Sequence, residues 1–274
     1  MERIEEINNI EKREPSKWED IKVFRVRHGD SKYNEHMKTG KEDKNDLTET
    51  GIQQALDAAK TIESQLNKDN DIICFAHSPR FRAVNTMVVV KEYLASRGFL
   101  IYEDIKERER QERIRGADLV DYEGSIVAPE DEKHSELYLK RMKESFKSMP
   151  RGESLGKYSM LGEIEMFEDP ENVKKRARNQ LTFLMRVAQN IQTKIDKHIV
   201  IVQVEHEETI DETLKISSQG KLGILKDEPI GKGEVMQLNI PTKGDEIKAK
   251  LLNKDVELKP LHYDYIKRIF KAEA

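Results

Sequence analysis

The chain has 274 residues, and its 48 lysines and arginines against 52 aspartates and glutamates give a formal net charge of −4. This near balance provides no global attraction to nucleic acid or to anionic membranes, so neither is expected as a partner. The single cysteine excludes an internal disulfide. The charged start and the lack of an apolar run of roughly 18 residues argue against a secretory signal or membrane span, which predicts a cytoplasmic protein.

The pattern of apolar residues predicts alternating strands and helices. After a polar extension over residues 1–20, the expected elements are a strand at 21–26, a helix at 47–66, a strand at 71–76, a helix at 80–98 and a strand at 99–105. A charge-dense, mainly helical insertion at 106–170 precedes a helix at 170–195 and a very apolar strand at 198–205. Two edge strands at 234–241 and 247–253 and a closing helix at 261–271 complete the series.

This order of elements is typical of a parallel sheet with covering helices, because a strand followed by a helix and a parallel strand is the repeating unit of such folds. We therefore expect an α/β protein, a three-layer α/β/α sandwich with a central, mostly parallel sheet. A single domain is predicted over residues 21–274, with the helical insertion lying over the site.

Local signals mark the starts and the buried face of two helices. Thr48 and Thr50 are both candidates for the N-cap of the first helix, and Thr50 has capping-box spacing to Gln53. In the second helix Ser78 is the predicted N-cap and Pro79 the first helical residue. The face of the first helix expected to be buried carries Ile52, Ala55, Ala59, Ile62 and Leu66.

Basic residues and histidines follow three of the predicted strands. Arg27 and His28 come after the first strand, Arg82 comes shortly after the second, and His206 follows the very apolar strand. Ligands of open parallel sheets bind beyond the carboxyl ends of the strands, so these side chains are expected to converge. Guanidinium groups bind phosphate oxygens in pairs, and a neutral imidazole can attack phosphorus. The pattern predicts a phosphate site, at which Gly29 would let the backbone approach the anion.

The segments that carry these residues resemble the histidine phosphatase superfamily, also called phosphoglycerate-mutase-like. RHGDSKYN is similar to its arginine-histidine-glycine motif with a downstream asparagine, here Asn34, and LTETGIQQA is similar to the helix start that follows. SPRFRAVNT resembles the segment with the second pocket arginine, Arg82. RGESL, at 151–155, and VIVQVEH resemble the Gly-Glu-Ser stretch and the strand that bears the second histidine. The resemblance spans roughly residues 21–240 in consistent order.

This resemblance implies a phosphomonoesterase that needs neither a metal nor a cofactor. His28 would be the nucleophile and form a phosphohistidine, and the substrate would be a small phosphorylated molecule or a phosphoprotein. Arg27, Arg82 and His206 would hold the transferring phosphoryl group, and Asn34 would add a hydrogen bond at the rim. The resemblance specifies no oligomeric state.

A carboxylic acid is also implied, to protonate the leaving oxygen and then activate water. Glu112, in the stretch QERIRG, is the candidate, and Glu107 and Glu109 compete with it in the same charged run.

One segment departs from the family pattern, because Glu207 and Glu208 stand where glycines usually follow the second histidine. A carboxylate ~5 Å from a phosphate costs about 3 kcal/mol at an effective dielectric constant of 20. Either these glutamates turn away from the pocket, or they bind a cation, or they weaken phosphate binding. The alternative function is therefore a degenerate family member that binds a phosphorylated ligand or partner without turnover. A metal hydrolase is a third candidate, although Ile210 replaces the second histidine of a His-Glu-x-x-His motif.

The other histidines have a simpler interpretation. They are expected to face solvent or to form local hydrogen bonds, and they are His36, His77, His134, His198 and His262.

Overall fold

The computed structural model describes residues 17–32, 47–78, 80–102, 170–207, 209–210, 213 and 230–262. The strands within them are β1 (Asp20–Arg27), β2 (Asp71–His77), β3 (Leu100–Tyr102), β4 (His198–Glu205), β5 (Val235–Pro241), β6 (Glu246–Leu251), β7 (Val256–Glu257) and β8 (Leu261–His262). The α-helices are α1 (Glu49–Glu63), α2 (Phe81–Ser96) and α3 (Pro170–Asn190), and short 3-10 helices occupy Gln192–Lys194 and Leu252–Lys254.

The strands form one sheet in the order β3-β2-β4-β1-β5-β6-β7, with β8 paired to β6. The pairs among β3, β2, β4 and β1 are parallel, and the pairs from β1 to β5 and beyond are antiparallel. Strand β4 therefore lies between β2 and β1, so the carboxyl ends of these three strands meet at one edge.

Helices cover both faces of the sheet. Strand β1 shows how the sequence builds the two layers: Ile21 and Val23 belong to the core packed by α3, and Phe24 and Val26 belong to the core packed by α1 and α2. Since side chains alternate between the faces of a strand, Arg25 and Arg27 follow Ile21 and Val23 on the α3 side. The mostly parallel sheet between helical layers confirms the predicted fold class.

Helix α1 buries a different set of residues from the one predicted. Ile52 is 43% exposed, while Gly51 and Ala58 are buried. The reason is a close approach of two backbone segments: a Cβ added to Gly29 would collide with the carbonyl oxygen of Gly51, and one added to Gly51 would collide with that of Asp30. Gly29 thus makes room for the helix, which corrects the prediction that it makes room for an anion.

Helix starts differ in detail from the sequence prediction. Thr48 is the N-cap of α1 and its hydroxyl accepts a hydrogen bond of 3.0 Å from the Gly51 amide. The N-cap of α2 is Arg80, so the assignment of this role to Ser78 was wrong.

Two predictions at the far side of the sheet also change. Strand β5 is an inner strand between β1 and β6, and Leu261–His262 begins the closing segment as a strand. The insertion at 106–170 lies almost wholly outside the described residues, and the division into an extension and one domain stays a prediction. No helix in the described ranges has the length and apolar character to cross a membrane.

Candidate active site

Three loops meet at the carboxyl edge of the parallel strands, and hydrogen bonds to the end of β4 fix two of them. The amide of His28, after β1, donates to the carbonyl of Glu205 at 3.0 Å, and the amide of Ser78, after β2, donates to the carbonyl of Val204 at 2.9 Å. These bonds continue the sheet ladder past the strand ends. The side chains of His28, Ser78 and His206 are therefore presented from adjacent, anchored backbone.

Arg82, in the first turn of α2, lies between the two imidazoles. Its Nε is 3.1 Å from Nε2 of His28, and its Nη2 is 3.3 Å from Nδ1 of His206. The centroids of the two rings are 5.0 Å apart. The structure thus brings together three of the residues predicted to meet, although they are far apart in the sequence.

The contacts of His28 define its tautomer. Nδ1 lies 2.8 Å from the carbonyl oxygen of Gly29, which can only accept, so Nδ1 carries the proton. Nε2 then has the lone pair that accepts from Arg82. Burial of the ring lowers the pKa of His28 well below its ordinary value, and the positive charge of Arg82 lowers it further. His28 is consequently a neutral imidazole with its nucleophilic nitrogen on the arginine side.

His206 is also buried and neutral. Burial lowers its pKa well below the ordinary value, with further contributions from Arg82 and His28. Its Nε2 lies 2.8 Å from the hydroxyl of Ser78, which is fully buried. Sequence reasoning missed this contact because a serine before a proline is typical of a helix start. The available signal was its place just after a parallel strand at the site edge.

Arg27 is held by two acceptors of the protein. Nη1 donates to the carbonyl of Ile230 at 2.5 Å, and Nη2 forms an ion pair with Oε2 of Glu207 at 2.5 Å. Its Nε is buried and has no hydrogen-bond partner among the described residues. Of the three outcomes open for Glu207, the second occurs, and the cation that it binds is the predicted phosphate-binding arginine. Glu208 lies outside the described residues.

Comparison with known proteins identifies the family. The model of the histidine phosphatase superfamily (branch 1) matches residues 23–251. The chain belongs to the histidine phosphatase superfamily. The family predicted from the motifs is thereby confirmed, and membership supports an activity of phosphatase or mutase type.

Solved structures show the same fold at low sequence identity. Phosphoglycerate mutase from Bacillus anthracis str. Sterne is 11% identical with a TM-score of 0.50, over 91% of this chain and 96% of the other. A mycobacterial glucosyl-3-phosphoglycerate phosphatase with VO3 is 19% identical with a TM-score of 0.41, over 80% and 90%. A phosphoserine phosphatase mutant from Entamoeba histolytica is 17% identical with a TM-score of 0.42, over 81% and 95%. No curated protein matches the chain.

Beneath the site of this histidine phosphatase superfamily member lies a buried ion pair that the sequence did not reveal. Arg25 donates from Nε and Nη2 to the carboxylate of Glu205, with 2.6 Å between Nη2 and Oε2. The hydroxyl of Thr209 donates to the same carboxylate at 2.7 Å, and Arg25 also donates to Thr213. Both glutamates that flank His206 along the chain are thus paired with arginines. Within the described residues, no group of three or more potential metal ligands occurs.

Several predicted site residues lie outside the described residues. They are Asn34, Glu112 with its competitors Glu107 and Glu109, and the segment 151–155. Their roles stay predictions.

Proposed function

We propose that the protein is a metal-independent phosphomonoester hydrolase that acts through a phosphohistidine on His28. The observation that supports this proposal best is the single guanidinium of Arg82, which donates to Nε2 of His28 and also contacts His206. A tetrahedral dianion placed between these groups would accept from Arg82 and face the lone pair of His28. The substrate class is a small phosphorylated molecule, with a phosphoprotein as the second choice.

The proposed reaction has two displacements at phosphorus. In the first, the lone pair of Nε2 forms a P–N bond as the ester P–O bond breaks, and the leaving oxygen takes a proton from an acid, for which Glu112 is proposed. The Nε proton of Arg82 transfers its hydrogen bond from the imidazole to a phosphoryl oxygen. In the second, water attacks phosphorus, the P–N bond breaks, and inorganic phosphate leaves.

The electrostatics of the described site suit this sequence of steps. His28 starts neutral because burial and Arg82 lower its pKa, so no proton has to leave before the attack. Arg27 and Arg82 supply permanent positive charge to the phosphoryl oxygens, since a guanidinium does not deprotonate in proteins. Hydrolysis is proposed over phosphoryl shuffling because the additional substrate-binding segments of mutases were not recognised in the sequence.

The test is release of p-nitrophenol from p-nitrophenyl phosphate in the presence of EDTA. The wild-type protein and a His262→Ala control, which changes a half-exposed histidine far along the chain, are expected to turn over equally. His28→Ala is expected to lose at least about 10³-fold in kcat, because it removes the nucleophile. Mass spectrometry of alkali-quenched enzyme should locate phosphate on the peptide with His28. Turnover that survives His28→Ala contradicts the mechanism, and inhibition by EDTA contradicts metal independence.

The second candidate is a binding protein without turnover, and the ion pair between Arg27 and Glu207 is the observation that favours it. A carboxylate on the phosphate-binding arginine would disfavour rapid exchange of phosphate. This candidate predicts that a phosphorylated compound raises the melting temperature while no phosphate is released. A set of phosphomonoesters that neither stabilises the protein nor is hydrolysed would count against both functions.

A further inference from the structure

The guanidinium of Arg27 offers phosphate one edge only, and Glu207 occupies half of it. An arginine binds a tetrahedral anion in pairs of N–H groups, either through its two terminal nitrogens or side-on through Nε and one of them. Nη1 is already used by the carbonyl of Ile230, so the side-on edge made of Nε and Nη2 is the one that remains. Nη2 is held by the carboxylate of Glu207, while the buried Nε has no hydrogen-bond partner in the described part of the chain.

The carboxylate of Glu207 therefore lies where a phosphoryl oxygen would bind. Its side chain is 24% exposed against 17% for Arg27, so the pair is only partly screened by solvent. When Arg27 turns its hydrogen bonds to a phosphate, Glu207 loses this ion pair and an anion comes to lie beside it. The nearby cation Lys232 does not offer a ready substitute, because it is already paired with Asp30.

Resting on the proposed function, we propose that Glu207 determines specificity by selecting phosphomonoesters whose leaving group carries an ammonium group. A cationic leaving group gives the carboxylate a new ion-pair partner at the moment that Arg27 is drawn to the phosphate. A neutral leaving group leaves the repulsion between carboxylate and phosphate in place, and an anionic one adds to it. Glu207 thus converts a general phosphate site into one that discriminates by the charge of the leaving group.

The experiment compares three small phosphomonoesters that differ in the charge of the leaving group: phosphoethanolamine, its N-acetyl derivative and phosphoglycolate. The quantity measured is kcat/KM for each ester with the wild-type protein, Glu207→Gln, Glu207→Asp and the control Glu257→Gln, which removes an exposed carboxylate that lies 3.5 Å from Lys250. The wild-type protein and the control are expected to prefer phosphoethanolamine over its N-acetyl derivative by about tenfold. Glu207→Gln should bring this ratio close to one, mainly through KM, and Glu207→Asp should retain part of it.

Two kinetic results would overturn the inference. One is a wild-type protein that hydrolyses the N-acetyl ester as well as phosphoethanolamine, which needs no variant to fold. The other is a ratio that Glu207→Gln leaves unchanged while kcat/KM rises for all three esters, since Glu207 would then weaken phosphate binding without selecting a substrate.

A binding arm separates this inference from the proposed function. Calorimetry of the same three esters and of inorganic phosphate measures affinity without turnover. If no ester is hydrolysed but phosphoethanolamine binds about tenfold tighter than its N-acetyl derivative and Glu207→Gln removes the difference, the proposed function fails and the inference stands. If hydrolysis occurs and depends on His28 while neither kcat/KM nor affinity responds to the ammonium group, the function stands and the inference fails.

Discussion

Strand β4 has a histidine at each end, and the two regions treat this residue in opposite ways. His198 begins the strand and His206 follows it, and both are buried, with 3% and 2% of their surface exposed. His198 lies between two carboxylates, with Nδ1 2.9 Å from Asp71 and Nε2 3.2 Å from Asp20, and the ring of Trp18 stacks on it. His206 instead contacts Arg82 and the hydroxyl of Ser78.

Burial acts in the same direction on both rings, so the neighbours decide their charge. Burial alone lowers the pKa of His198, but its hydrogen bonds with Asp20 and Asp71 outweigh that effect and leave the pKa raised. At His206 the positive charge of Arg82 adds to burial and lowers the pKa further. The amino end of the strand therefore has an ionic histidine that supports the fold, and the carboxyl end has a neutral one that is suited to phosphate chemistry.

The largest effect is expected from Arg82→Met, which removes the shared donor at the carboxyl end. We expect kcat/KM for p-nitrophenyl phosphate to fall by about 10²–10³-fold, as for other preorganised donors to a developing anion. The pKa values of His28 and His206 should both rise, because each loses the same positive neighbour. Steady-state kinetics and NMR titration of labelled imidazole rings measure the two effects.

Arg97→Met is the matched control, since it removes an exposed arginine that pairs with Glu63. A loss of activity in the control as large as that of Arg82→Met would contradict a specific role for Arg82.

The next effect is expected at the other end of β4, from Asp71→Asn. This carboxylate is 1% exposed and accepts from His198 and from the amide of Asn67. Losing a hydrogen bond between charged groups in a buried position should lower the free energy of unfolding by about 2 kcal/mol. The value of kcat for p-nitrophenyl phosphate should stay unchanged, since Asp71 lies at the opposite edge of the sheet.

Denaturant unfolding measures the stability change, with Asp245→Asn as control. Its carboxylate faces the half-exposed His262 at 3.7 Å, so its loss should stay within about 0.5 kcal/mol. Equal losses in the two variants would show that the buried position of Asp71 confers no special stability.

The smallest effect is a difference in pH dependence between the two ends. For His206 the folded pKa is lowered, so its contribution to stability is present above the unfolded pKa of about 6.5 and is lost as pH falls. Between pH 7.5 and 5.5, His206→Gln should therefore lose about 1.4 kcal/mol less free energy of unfolding than the wild-type protein. Urea unfolding at the two pH values tests this, and an equal loss in both proteins would contradict it.

For His198 the sign is reversed. Its folded pKa is raised, so its contribution is fully present below the unfolded pKa and is lost as pH rises through the folded pKa. His198→Gln should consequently be more destabilising at pH 5.5 than at pH 9, as measured by the same unfolding experiment. A deficit that does not change with pH would mean that His198 is not ionic in the folded protein.

These two ends also differ in how far the sequence predicts them. The carboxyl end was largely predictable, because Arg27, His28, Arg82 and His206 stand in recognisable motifs just after apolar runs, and parallel strands bring their carboxyl ends together. The cluster at the amino end was not predicted, and His198 had only a general assignment to solvent or to a local hydrogen bond. Its contact with Asp71 depends on which residues of β2 and β4 are neighbours, and strand register is set by the whole sheet.

Other differences have the same cause. Ile52 fits the apolar face of α1 by periodicity, but the close backbone contact of Gly51 with the β1 loop rotates that face. The pairing of Arg25 with Glu205 joins adjacent strands whose local patterns contain no sign of the contact. The role of Ser78 was hidden because its hydroxyl bonds to a residue more than a hundred positions away. Local patterns thus predict elements and motifs, while contacts between elements need the assembled fold.

The anchoring of the site loops on β4 has a consequence for how the protein opens. The amide protons of His28 and Ser78 are bonded to the carbonyls of Glu205 and Val204, at the end of a strand whose residues are all buried. Isotope exchange at these two amides requires detachment from the central strand, so they are expected to exchange together with the amides of β4. The phosphate-facing groups should therefore keep their mutual positions until the central strands separate.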